Sequence, residues 1–227
     1  MTIKIEQLCK TYNPESDFPV HAVDHLDLVI EQGEFVAVIG PSGSGKTTLL
    51  NMLGGIDSAS SGKVSIDGNE LTVMDEKKLI EFRRDNIGFI FQDYSLLPVL
   101  TALENVEFVM QLQGHAEDKC KQRAQDLLKK VGLENQQHKR PAQLSGGQQQ
   151  RVAVARALAP RPRFIMADEP TANLDAKSTA ELLDIMESLN KEEGTTFIFS
   201  THDSRVFDRA KRVIVFEDGQ LKEDKQQ

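Results

Sequence analysis

The chain has 227 residues, 39% of them hydrophobic, and a formal net charge of −8. That size suits one large α/β domain, or one domain with a small inserted subdomain. The acidity argues against a nucleic-acid binder, which needs a basic footprint, and no apolar run approaches the roughly 20 residues that cross a bilayer.

The N-terminus, Met1 to Ile5, alternates like a strand and lacks the apolar core of a signal peptide, so a cytosolic protein is expected. Residues 2 to 10 set Ile3, Ile5 and Leu8 against polar neighbours and predict an edge strand. Asn13 to Pro19 is a loop by its turn chemistry, and Ala22 to Ile30 returns as a strand. Cys9 and Cys120 are the only cysteines, and neither has a ligand-spaced partner; reduced thiols are the expectation. His21 and His25 read as ordinary strand residues.

Phe35 to Ile39 is a short apolar run rich in β-formers, as a buried parallel strand should be. Gly40-Pro41-Ser42-Gly43-Ser44-Gly45-Lys46-Thr47 follows it and fits G-x-x-x-x-G-K-[ST], the phosphate-cradling loop. Thr47 to Leu53, with Thr48 in its first turn, then reads as a helix closed by Gly54-Gly55. Strand, loop and helix come in the order that phosphate binding requires. Glycines let the backbone approach a polyphosphate, whose charge meets successive N–H groups and the helix dipole. Lys46 is placed to bridge the β- and γ-phosphates, and the Thr47 hydroxyl to hold Mg²⁺.

Further along, Lys63 to Leu71 forms a hairpin around Asp67-Gly68. Glu76 to Arg84 is helical, and Ile87 to Phe91 is a buried-type strand ending at Gln92. Leu103 to Gln113 and Glu117 to Val131 form a helical stretch with no strong strand between them. The lysines and arginines of residues 119 to 140 read as solvated helix faces. Leu144-Ser145-Gly146-Gly147-Gln148 opens a helix that Pro160 stops, and Arg163 to Ala167 is a core strand ending in Asp168-Glu169. Asp168 stands where a Mg²⁺-linked acid is needed, and Glu169 could orient or deprotonate a water. Ser178 to Glu192 is a helix closed by Gly194; Thr195 to Ser200 and Val213 to Phe216 are the last strands. Leu221 to Gln227 reads as a charged, frayed tail.

With these elements in order, the whole chain resembles the ATP-binding subunits of ABC transporters. Leu144 to Gln148 matches that family's signature, Gln92 its glutamine loop, Asn173-Leu174-Asp175 its D-loop and His202 its switch histidine. Tyr12 lies where the family stacks an aromatic on adenine, with Phe18 of the same loop as the alternative platform. The resemblance implies an α/β phosphate-loop NTPase: a mostly parallel sheet, antiparallel β parts at about 1–34 and 62–72, and a helical insertion at about 95–158. ATP and Mg²⁺ are the implied cofactors, with Thr47, Gln92 and Asp168 at the metal and Glu169, His202 and Gln92 serving hydrolysis. A second copy, joined head-to-tail around two ATP, would present Ser145 and Gly147 to the γ-phosphate, using a helix N-terminus in trans. Integral-membrane permease subunits are the implied partners, which would hold the chain on the inner face of the membrane with no insertion of its own.

Leu53 to Asp57, Ile87 to Gln92 and Leu96 to Val106 resemble the lipoprotein-releasing and macrolide-efflux branch, although Ala172 replaces a glycine common there. That branch implies export of a lipoprotein, peptide or drug-like cargo. The alternative is a regulatory module that signals through a membrane partner to cell-wall hydrolases and carries nothing. A soluble member acting on ribosomes or DNA is disfavoured by the acidity and by the lack of a second such domain. The short stretch after the last strand is expected to leave no room for the regulatory domain of sugar importers. Leu96, Leu97, Val99 and Leu100 surround Pro98 in a segment too apolar for a free loop. Some of them should pack into the insertion, and the rest should line a groove for a short permease helix.

Overall fold

The computed structural model describes residues 2–227. Its core is a six-stranded sheet in the order β10-β9-β3-β8-β7-β6. Strands β3 (Phe35–Ile39), β6 (Ile87–Ile90), β7 (Phe164–Asp168), β8 (Thr196–Thr201) and β9 (Arg212–Glu217) run parallel. Each is nearly continuous in apolar residues because both sheet faces are covered.

The period-2 geometry of a strand divides these residues between two cores. On β7, Phe164 and Met166 pack toward one side while Ile165 and Ala167 pack toward the other; on β8, Ile198 opposes Phe197 and Phe199. The first face meets α1 (Lys46–Leu53), α2 (Glu76–Asn86) through Leu79 and Phe82, and a second, four-stranded antiparallel sheet. The other face meets α3 (Ala102–Leu112), α4 (Glu117–Lys130), α5 (Gly146–Leu158) and α6 (Ala176–Glu193). Burying each large side chain in these layers contributes about 2 kcal/mol relative to leaving it in water.

The antiparallel sheet has the order β2-β1-β4-β5, with β1 at Thr2–Tyr12, β2 at Val20–Glu31, β4 at Ser61–Ile66 and β5 at Asn69–Glu70. This corrects the edge-strand expectation: β1 has neighbours on both sides, β2 and β4. Alternation along a strand reports which face is buried and is silent on how many strands flank it. Asp67 and Gly68 both take positive φ, 50° and 77°, as a tight β4–β5 turn demands.

The C-terminal tail is likewise ordered. Gln220–Gln226 forms β10, antiparallel to β9 around an Asp218-Gly219 turn. Arg212 holds it there: Nε and Nη2 donate to Asp224 at 2.8 and 2.6 Å, while Nη1 donates to Glu34 and to the Val29 carbonyl. The Asp224 contact raises the guanidinium pKa further above its ordinary value, the Glu34 contact adds to this, and burial opposes both. A single cation thus joins β2, the start of β3 and both strands of the terminal hairpin. No helix among the described residues is long and apolar enough to cross a membrane.

Candidate active site

Gly45 caps the start of α1 with φ 100°, a left-handed conformation, and its Cα lies so close to β2 that a Cβ would sit 1.9 Å from the Ala22 carbonyl oxygen. Only glycine closes the turn there. The loop also reaches the terminal hairpin, where the Gly219 N–H donates to the Ser44 carbonyl at 3.1 Å. Among the described residues the buried Ser44 hydroxyl has no hydrogen-bond partner, and Lys46 Nζ donates only to the Gly40 and Pro41 carbonyls, at 2.9 and 2.8 Å. Burial lowers the Lys46 pKa, against the pull of Glu169 and Asp168. A glycine-rich loop at a helix start, an orphaned hydroxyl and a buried cation suit a polyphosphate.

Beside the loop, Thr47 Oγ1 donates to Asp168 Oδ1 and Oδ2 at 3.0 and 3.1 Å, and the Ser200 hydroxyl also donates to Asp168. A hydroxyl against a carboxylate at a strand end is a donor set of hard oxygens, which fits Mg²⁺. Glu169 follows with φ 46°, strained for a residue with a side chain. Its backbone N–H donates to the Ser200 carbonyl; its carboxylate lies 2.7 Å from His202 Nδ1 and accepts from Thr201 at 3.3 Å. Glu169 is therefore aimed from β8 and by His202, whose side chain is otherwise 72% exposed.

A cavity of about 630 Å³ gathers Tyr12, Ser42, Gly43, Gly45, Lys46, Thr47, Thr48, Gln92, Glu169 and His202, with Val20 and Ala22. Gly40, Pro41, Ser44 and Asp168 stand behind this lining, joined to it through Lys46 and Thr47. Tyr12 forms one wall, while Phe18, 86% exposed, is absent from the lining. Leu144 to Gln148 and Asp175 do not line the cavity. Ser145 caps α5, its hydroxyl accepting from the Gln148 N–H while Gln148 Oε1 accepts from the Ser145 N–H. Asp175 caps α6 through Ser178, whose backbone and hydroxyl bonds lower the carboxyl pKa.

Arg156 and Tyr94, which carry no sequence signal, hold these parts together with Asn173 of the D-loop match. Arg156 on α5 donates to the Tyr94 carbonyl at 2.9 Å and to the Ser95 carbonyl, fixing two left-handed residues just past Gln92. Burial lowers the Arg156 pKa. Asn173 donates to the Gln92 carbonyl at 3.1 Å, and the Tyr94 hydroxyl approaches so closely that a Cβ on Gly146 would lie 2.9 Å from it. The segment after Gln92 thus touches both the D-loop and the signature helix.

That segment borders an apolar groove of about 410 Å³, whose walls include Phe89, Phe91, Leu97, Phe108 and Leu112 with Arg83, Arg84 and Arg156. Leu97 and Val99 are exposed while Leu96 and Leu100 are half-buried, and only Leu97 of the four lines the groove. Buried Asn105 shapes this loop, accepting from the Leu97 N–H at 2.8 Å and donating to the Leu97, Leu100 and Thr101 carbonyls.

The cysteine reading needs one correction. Both cysteines are free, but Cys9 has potential ligand partners in Asp24 and His25, with donor atoms all within 4.8 Å. A left-handed His25 at the β1–β2 bulge brings them together, a proximity that spacing does not show. Asp24 has Gln220 and His25 as partners, and none of the group lines the cavity beside the phosphate loop.

Residues 23–172 match the family model described as ABC transporter. The chain is 43% identical over 219 residues to a lipoprotein-releasing system ATP-binding protein LolD of Idiomarina loihiensis, covering 96% of each. It is 46% identical over 219 residues to a macrolide export ATP-binding/permease protein MacB of Hyphomonas neptunium, of which it spans 34%. Among solved structures, a dimeric, post-hydrolysis state of the ATP-binding cassette MJ0796 with ADP and Pi superimposes with a TM-score of 0.92. That match is 40% identical and covers 99% of this chain and 98% of the other. The curated MJ0796 protein comes from Methanocaldococcus jannaschii.

Proposed function

The chain belongs to the ABC transporter family as one of its ATP-binding, ATP-hydrolysing subunits, and on that premise we propose how its residues divide the work. The observation that carries the reading is the Glu169–His202 pair at 2.7 Å beside the Thr47–Asp168 contact, both against the phosphate loop. ATP lies in the 630 Å³ cavity with its base on Tyr12 and its phosphates along Gly40 to Thr48. Thr47, Asp168 and Gln92 would hold Mg²⁺, which would supply positive charge to offset that of the phosphates. Glu169 then accepts a proton from the attacking water, and His202 keeps Glu169 aimed and contacts the γ-phosphate.

Among the described residues that line the cavity, no helix N-terminus other than that of α1 contributes. Leu144 to Gln148 present another helix N-terminus, on another part of the surface. Two copies placed head-to-tail therefore complete each other's sites. ATP favours the closed pair because its γ-phosphate is shared, and hydrolysis removes that shared charge.

The groove beside Gln92 receives a short, amphipathic cytoplasmic segment of the permease, with Phe108, Leu112 and Leu97 against its apolar face. This places the chain on the inner face of the cell membrane through its partner. The single domain thus divides into a nucleotide core, an antiparallel β part and a helical insertion that carries the groove. The relatives named for lipoprotein release and macrolide export favour extrusion of a lipoprotein, peptide or drug-like cargo over a cargo-free regulatory role.

Two measurements test this. ATP hydrolysis by the purified chain should require Mg²⁺ and vanish with EDTA; hydrolysis insensitive to chelation removes the metal roles given to Thr47, Gln92 and Asp168. Affinity capture from membranes should bring down an integral-membrane partner whose binding is lost when the groove is filled with charge.

A further inference from the structure

Lys10 is a nearly buried cation, 9% exposed, at the end of β1. Such a group requires a partner, since an unpaired charge at this depth is strongly disfavoured. Its Nζ donates to Asp57 Oδ1 at 2.6 Å and to the Ser58 carbonyl at 2.7 Å. The other Asp57 oxygen accepts from the Tyr12 hydroxyl, also at 2.6 Å, and the Lys10 ammonium sits 4.9 Å from the centre of the Tyr12 ring. Asp57 itself is anchored to the helix that starts at the phosphate loop: its N–H and that of Ile56 both donate to the Asn51 carbonyl. The ring that walls the nucleotide cavity is therefore fixed at its hydroxyl and covered by a cation on one face.

Neither Lys10 nor Asp57 touches the nucleotide cavity, and the phosphate-loop chemistry uses neither. We propose that Lys10 and Asp57 are positioning residues for the nucleotide base: together they hold the Tyr12 ring in place so that its free face meets an aromatic base at a fixed distance from the phosphate loop.

The inference rests on the reading of Tyr12 as the base platform. A tyrosine at the mouth of a cavity, 37% exposed, would otherwise sample several rotamers, and binding would have to arrest them. Prior fixation removes that entropic opposition. The ammonium adds a cation–π contact on the covered face. Burial disfavours the Asp57 carboxylate, but the Lys10 and Tyr12 hydrogen bonds outweigh it and lower its pKa, so it stays an acceptor at neutral pH. Burial, followed by the Asp57 contact, raises the Tyr12 pKa and keeps its hydroxyl a donor.

Two probes separate the base from the phosphates: Mg-ATP, and Mg-tripolyphosphate, which has no base. Affinities of both are measured by titration calorimetry for the full chain. Asp57→Ala and Tyr12→Ala should each weaken ATP about tenfold, the scale of one lost base–aromatic stack, and leave tripolyphosphate unchanged. Tyr12→Phe keeps the ring, loses the hydroxyl anchor and should weaken ATP about threefold. It also tests the idea if Asp57→Ala fails to fold. Normal ATP affinity in Asp57→Ala and Tyr12→Phe, with a loss in Tyr12→Ala, would overturn the positioning role and spare the platform. Normal ATP affinity in Tyr12→Ala would overturn the platform and the positioning role together. An equal loss of ATP and tripolyphosphate in Asp57→Ala would mean that Asp57 supports the phosphate loop rather than the ring.

Discussion

In and just behind the nucleotide cavity the charged side chains already have partners: Lys46 on the Gly40 and Pro41 carbonyls, Asp168 on Thr47 and Ser200, Glu169 on His202 and Thr201. In the groove past Gln92, Leu97, Phe108 and Leu112 stand 37%, 37% and 57% exposed. The cavity keeps its polar groups oriented by internal hydrogen bonds, which is what a site for a highly charged ligand needs. The groove keeps apolar surface that only another molecule can cover. Both regions meet in the segment from Gln92 to Ser95, pinned by Asn173 on one side and Arg156 on the other. The difference teaches that hydrolysis chemistry is built into this fold, whereas its use depends on a partner. Changes in the cavity should alter hydrolysis and spare partner binding, and changes in the groove should do the reverse.

The largest effect should come from Glu169→Gln. The amide keeps the shape but cannot accept a proton, so turnover should fall by roughly two to four decades while ATP affinity stays near wild type. Size-exclusion chromatography with ATP should show an accumulated dimer. A monomer at every ATP concentration would count against the completed two-copy site.

Lys46→Ala strikes the same cavity at binding. If this buried cation turns its donors to phosphate as proposed, its loss should lower ATP affinity by about 3 kcal/mol, or two decades. Nucleotide titration checks this, and near-normal affinity would mean that the loop does not cradle phosphate as described.

Leu97→Asp moves to the groove. A carboxylate placed among Phe108, Leu112 and Phe91 should weaken permease binding by about 2 kcal/mol, as for a desolvated anchor. Basal hydrolysis by the isolated chain should stay close to wild type. Intact binding together with a lowered melting temperature would show that Leu97 serves the core and that the partner docks elsewhere.

The cavity was far more legible in the sequence than the groove. Gly40 to Thr47 and Leu144 to Gln148 carry their geometry locally, because a glycine turn and a serine cap act within a few residues. The alternating strands and the caps at Gly54 and Gly194 were visible for the same reason. What escaped depends on contacts between distant residues. The central place of β1, the pairing of Arg212 with Asp224 that orders the tail, and the Lys10–Asp57–Tyr12 contact all join separate segments. The Cys9–Asp24–His25 proximity arises from a bulge between strands and has no periodic trace. Among Leu96, Leu97, Val99 and Leu100, composition showed that some must be buried and could not say which.

The smallest effect sharpens the comparison most, because it tests how the groove wall is shaped rather than what fills it. Asn105 is fully buried, yet its amide serves only the loop around Pro98, accepting from Leu97 and donating to the Leu97, Leu100 and Thr101 carbonyls. Proline cannot extend a helix here, so these backbone groups have no regular ladder to join. The side chain of Asn105 takes the ladder's place. Asn105→Ala should free the loop and leave several of its polar groups to water, at a cost of about 1–2 kcal/mol in stability. The permease would then have to order Leu97 as it binds, which should weaken association by about 1 kcal/mol. ATP affinity should not change, because Arg156 and Asn173 still hold the segment from Gln92 to Ser95. Thermal denaturation, partner binding and nucleotide titration on one preparation give the three numbers. A fall in ATP affinity as large as the fall in partner binding would show that the two regions share one ordering step. The division between built-in chemistry and borrowed surface would then have to be redrawn at Asn105.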